Sequence, residues 1–304
     1  MNRFLNKVML FDKDCGITSS DTVGLIKKIT GVKKIGHSGT LDKFASGLLV
    51  ICTGSATKLS RFFLESDKQY EAVIALGKTT DTLDSLGEVV KTAPFEHIIE
   101  NDVIECLKSF IGKQSQEPPV YSALKIKGKR YSDLTRSGVD VVPQKRNIEI
   151  YDIVSSDINL KDGLIKIKVS CSKGTYIRSL ARDIGIKLKT VAFLLELKRT
   201  KSGSFSIDDS VNVDDLIKAS KDELDNTNFL IEPVDSLDLG TIVIKDEAIK
   251  GILNGSYFNK EDISDMSLKG QKTVKIISND KKLVAIADIE FDNWDIKYYN
   301  VFNN

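Results

Sequence analysis

The hydrophobic and polar positions of this chain change period several times, and each change marks a predicted element. Residues 8–11 read as a short apolar strand. A turn-rich link over 12–20 follows. Ser19 or Ser20 then caps a helix carrying Val23, Ile26 and Ile29 on one side, which ends at Gly31. Residues 48–52 are continuously apolar, the pattern of a buried strand, and Leu59, Phe62 and Phe63 suit a short helix. Residues 70–76 are apolar on both faces at several positions and predict a second buried strand. Asp102 is expected to cap a helix with Val103, Leu107, Phe110 and Ile111 on one stripe, stopped by Gly112.

The second half alternates strand and helix signals. Residues 148–154 and 164–170 predict two strands joined at Asp162-Gly163, the second with Ile165, Ile167 and Val169 on one face and Lys166 and Lys168 on the other. Residues 171–185 open a helix with the stripe Ile177, Leu180, Ala181 and Ile184, while Arg178 and Arg182 share the opposite side. Apolar pieces at 193–197 and 204–207 precede a short helix with Val213, Leu216 and Ile217. Residues 237–240 look like a boundary. Beyond them come a strand (241–244), a helix (247–253) stopped by Asn254-Gly255, strands at 273–277 and 283–289 around the Asn279-Asp280 turn, and an apolar end at 298–302. That is a mostly-β module of about 65 residues, near the lower size for autonomous folding. The expected division is 1–236 and 237–304.

Two stretches lack clean periodicity, and both carry chemistry. Residues 36–58, GHSGTLDKFASGLLVICTGSATK, place one carboxylate, Asp42, in a loop whose glycines at 36, 39 and 47 permit positive φ or close backbone approach. Taken alone, an aspartate in such a loop is most simply a turn or cap residue. Residues 114–146 interleave Lys125, Lys127, Lys129 and Arg130 with Tyr121 and Tyr131, charge for phosphate and rings for stacking, as an RNA-contacting insertion needs. The bland alternative is a mobile surface loop.

Composition narrows the choice. The 304 residues are 41% hydrophobic and 29% charged, with a net charge of +1. Charge is unevenly spread: residues 119–201 hold 18 Lys/Arg against 8 Asp/Glu, a net of +10, whereas 202–235 hold 2 against 9, a net of −7. A basic middle beside an acidic stretch suits a polyanion-binding face. The four cysteines are far apart and the two histidines are His37 and His97, so neither a metal site nor a disulfide framework is expected. No segment approaches the roughly 18 apolar residues of a membrane span, and no signal peptide is evident, so a cytoplasmic location is expected. A P-loop, a G-x-G-x-x-G and a Ser/His/Asp pattern are all missing. An enzyme here works from a carboxylate and its neighbours, without cofactor.

Six ordered stretches between residues 8 and 205 resemble the TruB-type tRNA pseudouridine synthases. They are LFDKDCGITSSDTV, the Asp42 stretch (close to G-H-x-G-T-L-D-P-x-A-x-G-L-L), KQYEAVIALGKTTDTLDSLGEV, QEPPVYSALKIKGKRYSDLTRSGVDV, VSCSKGTYIRSLARDIG and LKRTKSGSF. The resemblance implies an α+β pseudouridine synthase fold with a central mixed, mainly antiparallel sheet, and a small PUA-like RNA-binding module at the C-terminus. It implies an isomerase that converts uridine 55 of the tRNA T-arm loop to pseudouridine by base flipping, acting as a monomer. Asp42 becomes the catalytic carboxylate, with Tyr70 stacking on the uracil at the proton-handling position and Arg178 pairing with Asp42. His37, Lys58, Asp84, Tyr176 and Leu197 would bind substrate, joined by Lys125 and Arg130 from the insertion. Asp42 would act as nucleophile or as base on the ribose. The C-terminal module would hold the acceptor stem.

The chain departs from the pattern at Lys43 and Asp14, where the family has prolines, and after Gly185, where glycines are missing. Lysine for proline leaves the Asp42 loop freer and puts a charge beside the carboxylate. This leaves a rival of another class, an RNA-binding or tRNA-folding chaperone with little catalysis, and a third reading, a subunit of a guide-RNA particle.

Overall fold

The computed structural model describes residues 2–121, 143–224 and 227–303, with the backbone of 125–126 and 129–130. The strands are β1 (Val8–Lys13), β2 (Ile35–Ser38), β3 (Ser46–Thr53), β4 (Lys68–Leu76), β5 (Lys78–Thr80), β6 (Val89–Thr92), β7 (Gly112–Gln116), β8 (Lys125–Ile126), β9 (Lys129–Arg130), β10 (Arg146–Asn159), β11 (Leu164–Cys171), β12 (Ala192–Ser202), β13 (Phe205–Ser206), β14 (Leu230–Ile231), β15 (Gly240–Ile244), β16 (Ile263–Ser267), β17 (Thr273–Ser278), β18 (Leu283–Glu290) and β19 (Asp295–Val301). The helices are α1 (Ser19–Thr30), α2 (Ser60–Leu64), α3 (Glu100–Lys108), α4 (Ile177–Lys187), α5 (Val213–Ser220) and α6 (Asp246–Leu253).

Ten strands form one sheet in the order β14-β1-β3-β12-β4-β11-β10-β7, with β2 on β3 and β13 on β12. Pairing is antiparallel except between β3 and β12, which run parallel through Ser46–Lys198 and Gly47–Arg199. The mixed, mainly antiparallel α+β sheet is therefore present as expected. The parallel step brings the strand after Asp42 beside a strand about 150 residues later. Alternation does the rest. On β11, Ile165, Ile167 and Val169 are buried in one cluster with α4 residues Ile177, Leu180, Ala181 and Ile184, while Lys166 and Lys168 face solvent. Truncating Ile167 to alanine in this close-packed layer costs about 2–5 kcal/mol.

Several boundaries move for local physical reasons. The cap of α1 is Thr18, whose hydroxyl accepts from the Asp21 amide while Asp21 reaches back, a complete capping box; Ser19 is instead buried. Asp102 lies inside the first turn of α3 and accepts from the Ile99 amide, and the helix ends at Lys108, before Phe110 and Ile111. Strands β2 and β7 are too short and polar to register as period-two patterns, yet each completes a ladder.

A second sheet, β16-β15-β17-β18-β19, covers residues from Gly240 to Val301. It shares a core with the first: Ile277, Leu283, Ile286 and Phe302 pack in one cluster with Leu49, Ile51 and Phe63. Lys275 donates to the Val234 and Leu237 carbonyls at 2.6 and 3.0 Å, and the Arg61 guanidinium lies 4.0 Å from the Tyr299 ring centroid. Tyr299 donates to Asp288 at 2.6 Å.

Candidate active site

Asp42 stands at the tip of the β2–β3 connection, and the connection is held from three sides. Buried Ser19 accepts from the Leu41 amide at 2.9 Å and donates to the Leu41 carbonyl at 3.0 Å. The Gly16 amide donates to the Lys43 carbonyl at 2.8 Å, and the Cys15 thiol to the Phe44 carbonyl at 3.0 Å. Leu41, Phe44 and Ala45 are buried. Lys13, fully buried, caps the Asp14 and Ile17 carbonyls at 2.8 Å each and so braces the clamping segment. The Lys43 side chain is exposed and outside the cavity lining. The stiffness that a proline would supply comes here from hydrogen bonds.

Arg178, in the first turn of α4, is 5% exposed. Its Nε lies 3.0 Å from Asp42 Oδ2 and its Nη1 lies 3.2 Å from Asp84 Oδ2. Nη1 also donates to the Thr82 carbonyl and Nη2 to the Tyr121 carbonyl, both at 2.9 Å. The Nε–H does not align on the Asp42 oxygen, so that contact is an ion pair more than a directed hydrogen bond. Burial raises the Asp42 carboxyl above its ordinary value, the Arg178 charge pulls it back, and the Asp84 charge raises it again. The Asp42 side chain is still 42% exposed, facing the cavity.

The cavity is about 290 Å³, the scale of one nucleoside, and its walls include Asp42, Tyr70, Tyr176, Arg178, Leu197 and Arg199. Tyr70 comes from β4 and Leu197 from β12. Tyr176 immediately precedes α4, where the Gln116 carboxamide accepts from its amide at 2.8 Å and donates to its carbonyl at 3.1 Å. Burial raises the Tyr70 phenol above its usual range, and Arg199 partly offsets this. A larger hollow of about 530 Å³ lies on the solvent face of the sheet behind Phe44, lined by Glu71, Lys168, Glu196 and Lys198. It contains no converging carboxylate and arginine of the kind at Asp42, so the smaller cavity is the one equipped for chemistry.

The other expected site residues lie elsewhere. Asp84 was expected to bind substrate. It is buried behind Arg178, where its Oδ1 accepts from Thr82 Oγ1 at 2.7 Å and the Leu86 amide at 3.0 Å. Lys58 is outside the cavity lining: its ammonium donates to the Val301 carbonyl at 2.5 Å, because the turn over Gly54–Leu59 faces β19. His37 sits on β2 opposite Ile51, outside the lining, with Nδ1 unpartnered among the described residues; burial and the Arg199 charge lower its pKa. The side chains of Lys125 and Arg130 fall outside the described residues. Arg199, Gln116 and Lys68 were missed as site residues. Each stands within or beside a quoted motif, but a polar side chain in a strand gives no local sign of burial.

Among the described residues, no group of three or more His, Cys, Asp or Glu could hold a metal ion, and no helix is long and apolar enough to cross a membrane.

Residues 27–177 match the family described as TruB family pseudouridylate synthase (N terminal domain), and residues 178–237 match the tRNA pseudouridylate synthase B C-terminal domain. Among solved structures, a Cbf5-Nop10-Gar1 complex superposes with a TM-score of 0.74 at 25% identity, covering 99% of this chain and 85% of that one. An H/ACA RNP bound to a substrate RNA containing 2'-deoxyuridine superposes equally well at 23% identity, covering 99% of this chain and 86% of that one. The fold is that of a pseudouridine synthase. The tRNA pseudouridine synthase B of Clostridium tetani (strain Massachusetts / E88) is 41% identical over 278 residues, 91% of this chain and 93% of the relative. That of Geotalea uraniireducens (strain Rf4) is 44% identical over 214 residues, 70% and 68% respectively. The chain belongs to the TruB family of pseudouridylate synthases.

Proposed function

We propose that this chain isomerises uridine 55 in the T-arm loop of tRNA to pseudouridine, without cofactor. The observation that carries the reading is Asp42, held 3.0 Å from a buried Arg178 in the wall of a cavity sized for one nucleoside. The names of the relatives support tRNA as the substrate class. The target uridine flips out of its stack at a cost of a few kcal/mol and enters between Tyr70, Tyr176 and Leu197. Arg178 favours the Asp42 carboxylate and aims it at the ribose, where the N1–C1′ bond breaks. The freed uracil turns within the walls, C5 joins C1′, and the proton lost from C5 is balanced by one taken up at N1, so that the product is an isomer of the substrate. Exclusion of water by the two tyrosines and the leucine keeps the base in place until it recombines.

Residues 1–236 act as the catalytic unit, and its net-positive stretch at 119–201 meets the RNA phosphates. Residues 237–304 carry 9 Lys/Arg and 11 Asp/Glu. That balance suits recognition of the acceptor stem by shape with few phosphate contacts. The chain acts as a monomer. Incubation of the purified protein with an unmodified tRNA transcript, followed by mapping of pseudouridine by position, tests the proposal. Pseudouridine at position 55 is expected; none at that position overturns it.

A further inference from the structure

One buried charge in the cavity wall has no part in the reaction as described. Arg199 is 1% exposed and lies directly opposite Tyr70 in the β4–β12 ladder. Its Nε donates to the Leu48 carbonyl at 2.7 Å and its Nη2 to the Gly39 carbonyl at 3.0 Å. Both side chains wall the same cavity, and the Arg199 charge acts on the Tyr70 phenol. Among the described residues no carboxylate forms an ion pair with it, in contrast to Arg178. Burying a cation without a counter-charge costs free energy, and a neutral core side chain would avoid that cost.

The backbone is shaped around this residue, at Gly39 by its side chain and at Gly47 by its main chain. A Cβ on Gly39 would stand 3.3 Å from Arg199 Nη1, and one on Gly47 would stand 2.4 Å from the Arg199 carbonyl oxygen. Both glycines have positive φ, 88° and 100°. Arg199 thus links the Asp42 loop, β3 and the Tyr70 strand. A guanidinium carries only donors, so in a hydrogen bond between them the Tyr70 oxygen must accept. The single phenol proton is then left free to point into the cavity.

We propose that Arg199 is a positioning residue, which fixes Tyr70 as a hydrogen-bond donor toward the bound nucleobase and sets the Gly39 turn that carries Asp42. Its activity arm rests on the pseudouridylation reading, whereas its spectroscopic arm does not. The test compares Arg199→Met, Arg199→Lys and Tyr70→Phe in three ways: turnover of a tRNA transcript, thermal melting, and NMR of tyrosine isotope-labelled at Cζ, with the Tyr70 resonance assigned by its loss in Tyr70→Phe. Folded Arg199→Met is expected to lower kcat about 100-fold with KM within about threefold, and to move the Tyr70 Cζ resonance. Arg199→Lys is expected to recover about tenfold of that loss, since an ammonium supplies charge and donors without the planar fork. If Arg199→Met does not fold, the lysine variant decides, with a reduced kcat and a moved resonance expected. Wild-type kcat, a change confined to KM, or an unmoved Tyr70 resonance in a folded variant overturns the proposal. A wild-type protein that makes no pseudouridine removes the functional reading but leaves the resonance measurement to stand or fall.

Discussion

Arg178 and Arg199 are both buried against one small cavity, 5% and 1% exposed, yet their surroundings are opposite. Arg178 stands between two carboxylates, Asp42 and Asp84. Arg199 is met by the Leu48 and Gly39 carbonyls and stands opposite Tyr70 in the ladder. The first arrangement neutralises a charge and lets one arginine tune a carboxylate. The second leaves a positive field beside Tyr70 and His37, and burial together with that field lowers the His37 pKa. One side of the cavity is therefore organised around where negative charge sits, and the other around where a hydroxyl proton points.

The sharpest way to break this comparison is at Asp42. Asp42→Asn keeps the shape but removes the charge, and is expected to abolish pseudouridine formation, at least about 10⁴-fold, with RNA affinity retained. Full activity in a tritium-release or mass-shift assay would sink the role assigned to the carboxylate.

Next comes Arg178→Lys, which loses the fork that reaches both aspartates and is expected to lower kcat about 100- to 1000-fold. It also carries a pH signature. Asp42 lies above its ordinary value because burial outweighs the pull of Arg178. Activity that needs the ionised form therefore rises with pH along a limb displaced upward from 3.8. Weakening the Arg178 interaction moves that limb further up, so part of the lost activity returns at higher pH. A pH–rate profile with an unmoved acidic limb would contradict the pairing.

Asp84→Asn tests the far side of Arg178. The neutral amide still accepts from the guanidinium but no longer repels Asp42, so about a 10-fold loss is expected, with the acidic limb moving down. A loss as large as that of Asp42→Asn would mean that Asp84 itself touches substrate.

The remaining predictions concern stability and a residue outside the cavity lining. Burial lowers the Lys68 ammonium to about 8 from an ordinary 10.5. Between those values the unfolded chain holds a proton that the native one has released, so stability rises with pH, by about 3 kcal/mol across the window. Chemical denaturation at pH 8 and pH 10 should show that rise in the wild type and lose it in Lys68→Met. Smallest of all is Lys58→Ala. With its ammonium committed to the Val301 carbonyl, turnover should change less than about twofold and stability by less than about 1 kcal/mol. A large rise in KM would return Lys58 to the substrate.

Much of the fold could be read along the chain because the signal there is local. The α4 stripe of Ile177, Leu180, Ala181 and Ile184, the alternation on β11 and the left-handed Gly163 between β10 and β11 are set by neighbours within one or two turns. The cap of α1 fell one residue before the serines because Thr18 and Asp21 form a reciprocal pair and Ser19 is taken by Leu41. The site was legible only where a residue stood inside a family motif. Asp42, Tyr70, Tyr176, Arg178 and Leu197 do line one cavity. Asp84 and Lys58 also stand in or beside motifs, and the motif said nothing of which way each side chain is turned.

Sequence by itself determined which residues could make helices, strands and tight turns, and it supplied one carboxylate in a glycine loop with no partner nearby in the chain. Tertiary structure decided what that carboxylate meets. The parallel pairing of β3 with β12 sets Arg199 beneath Gly39, 160 residues away in sequence. The start of α4 sets Arg178 against Asp84, 94 residues away. Periodicity reports only which face of an element is buried. Which buried faces meet is settled by strand register and by hydrogen bonds across such separations, and the chemistry of the cavity depends on those.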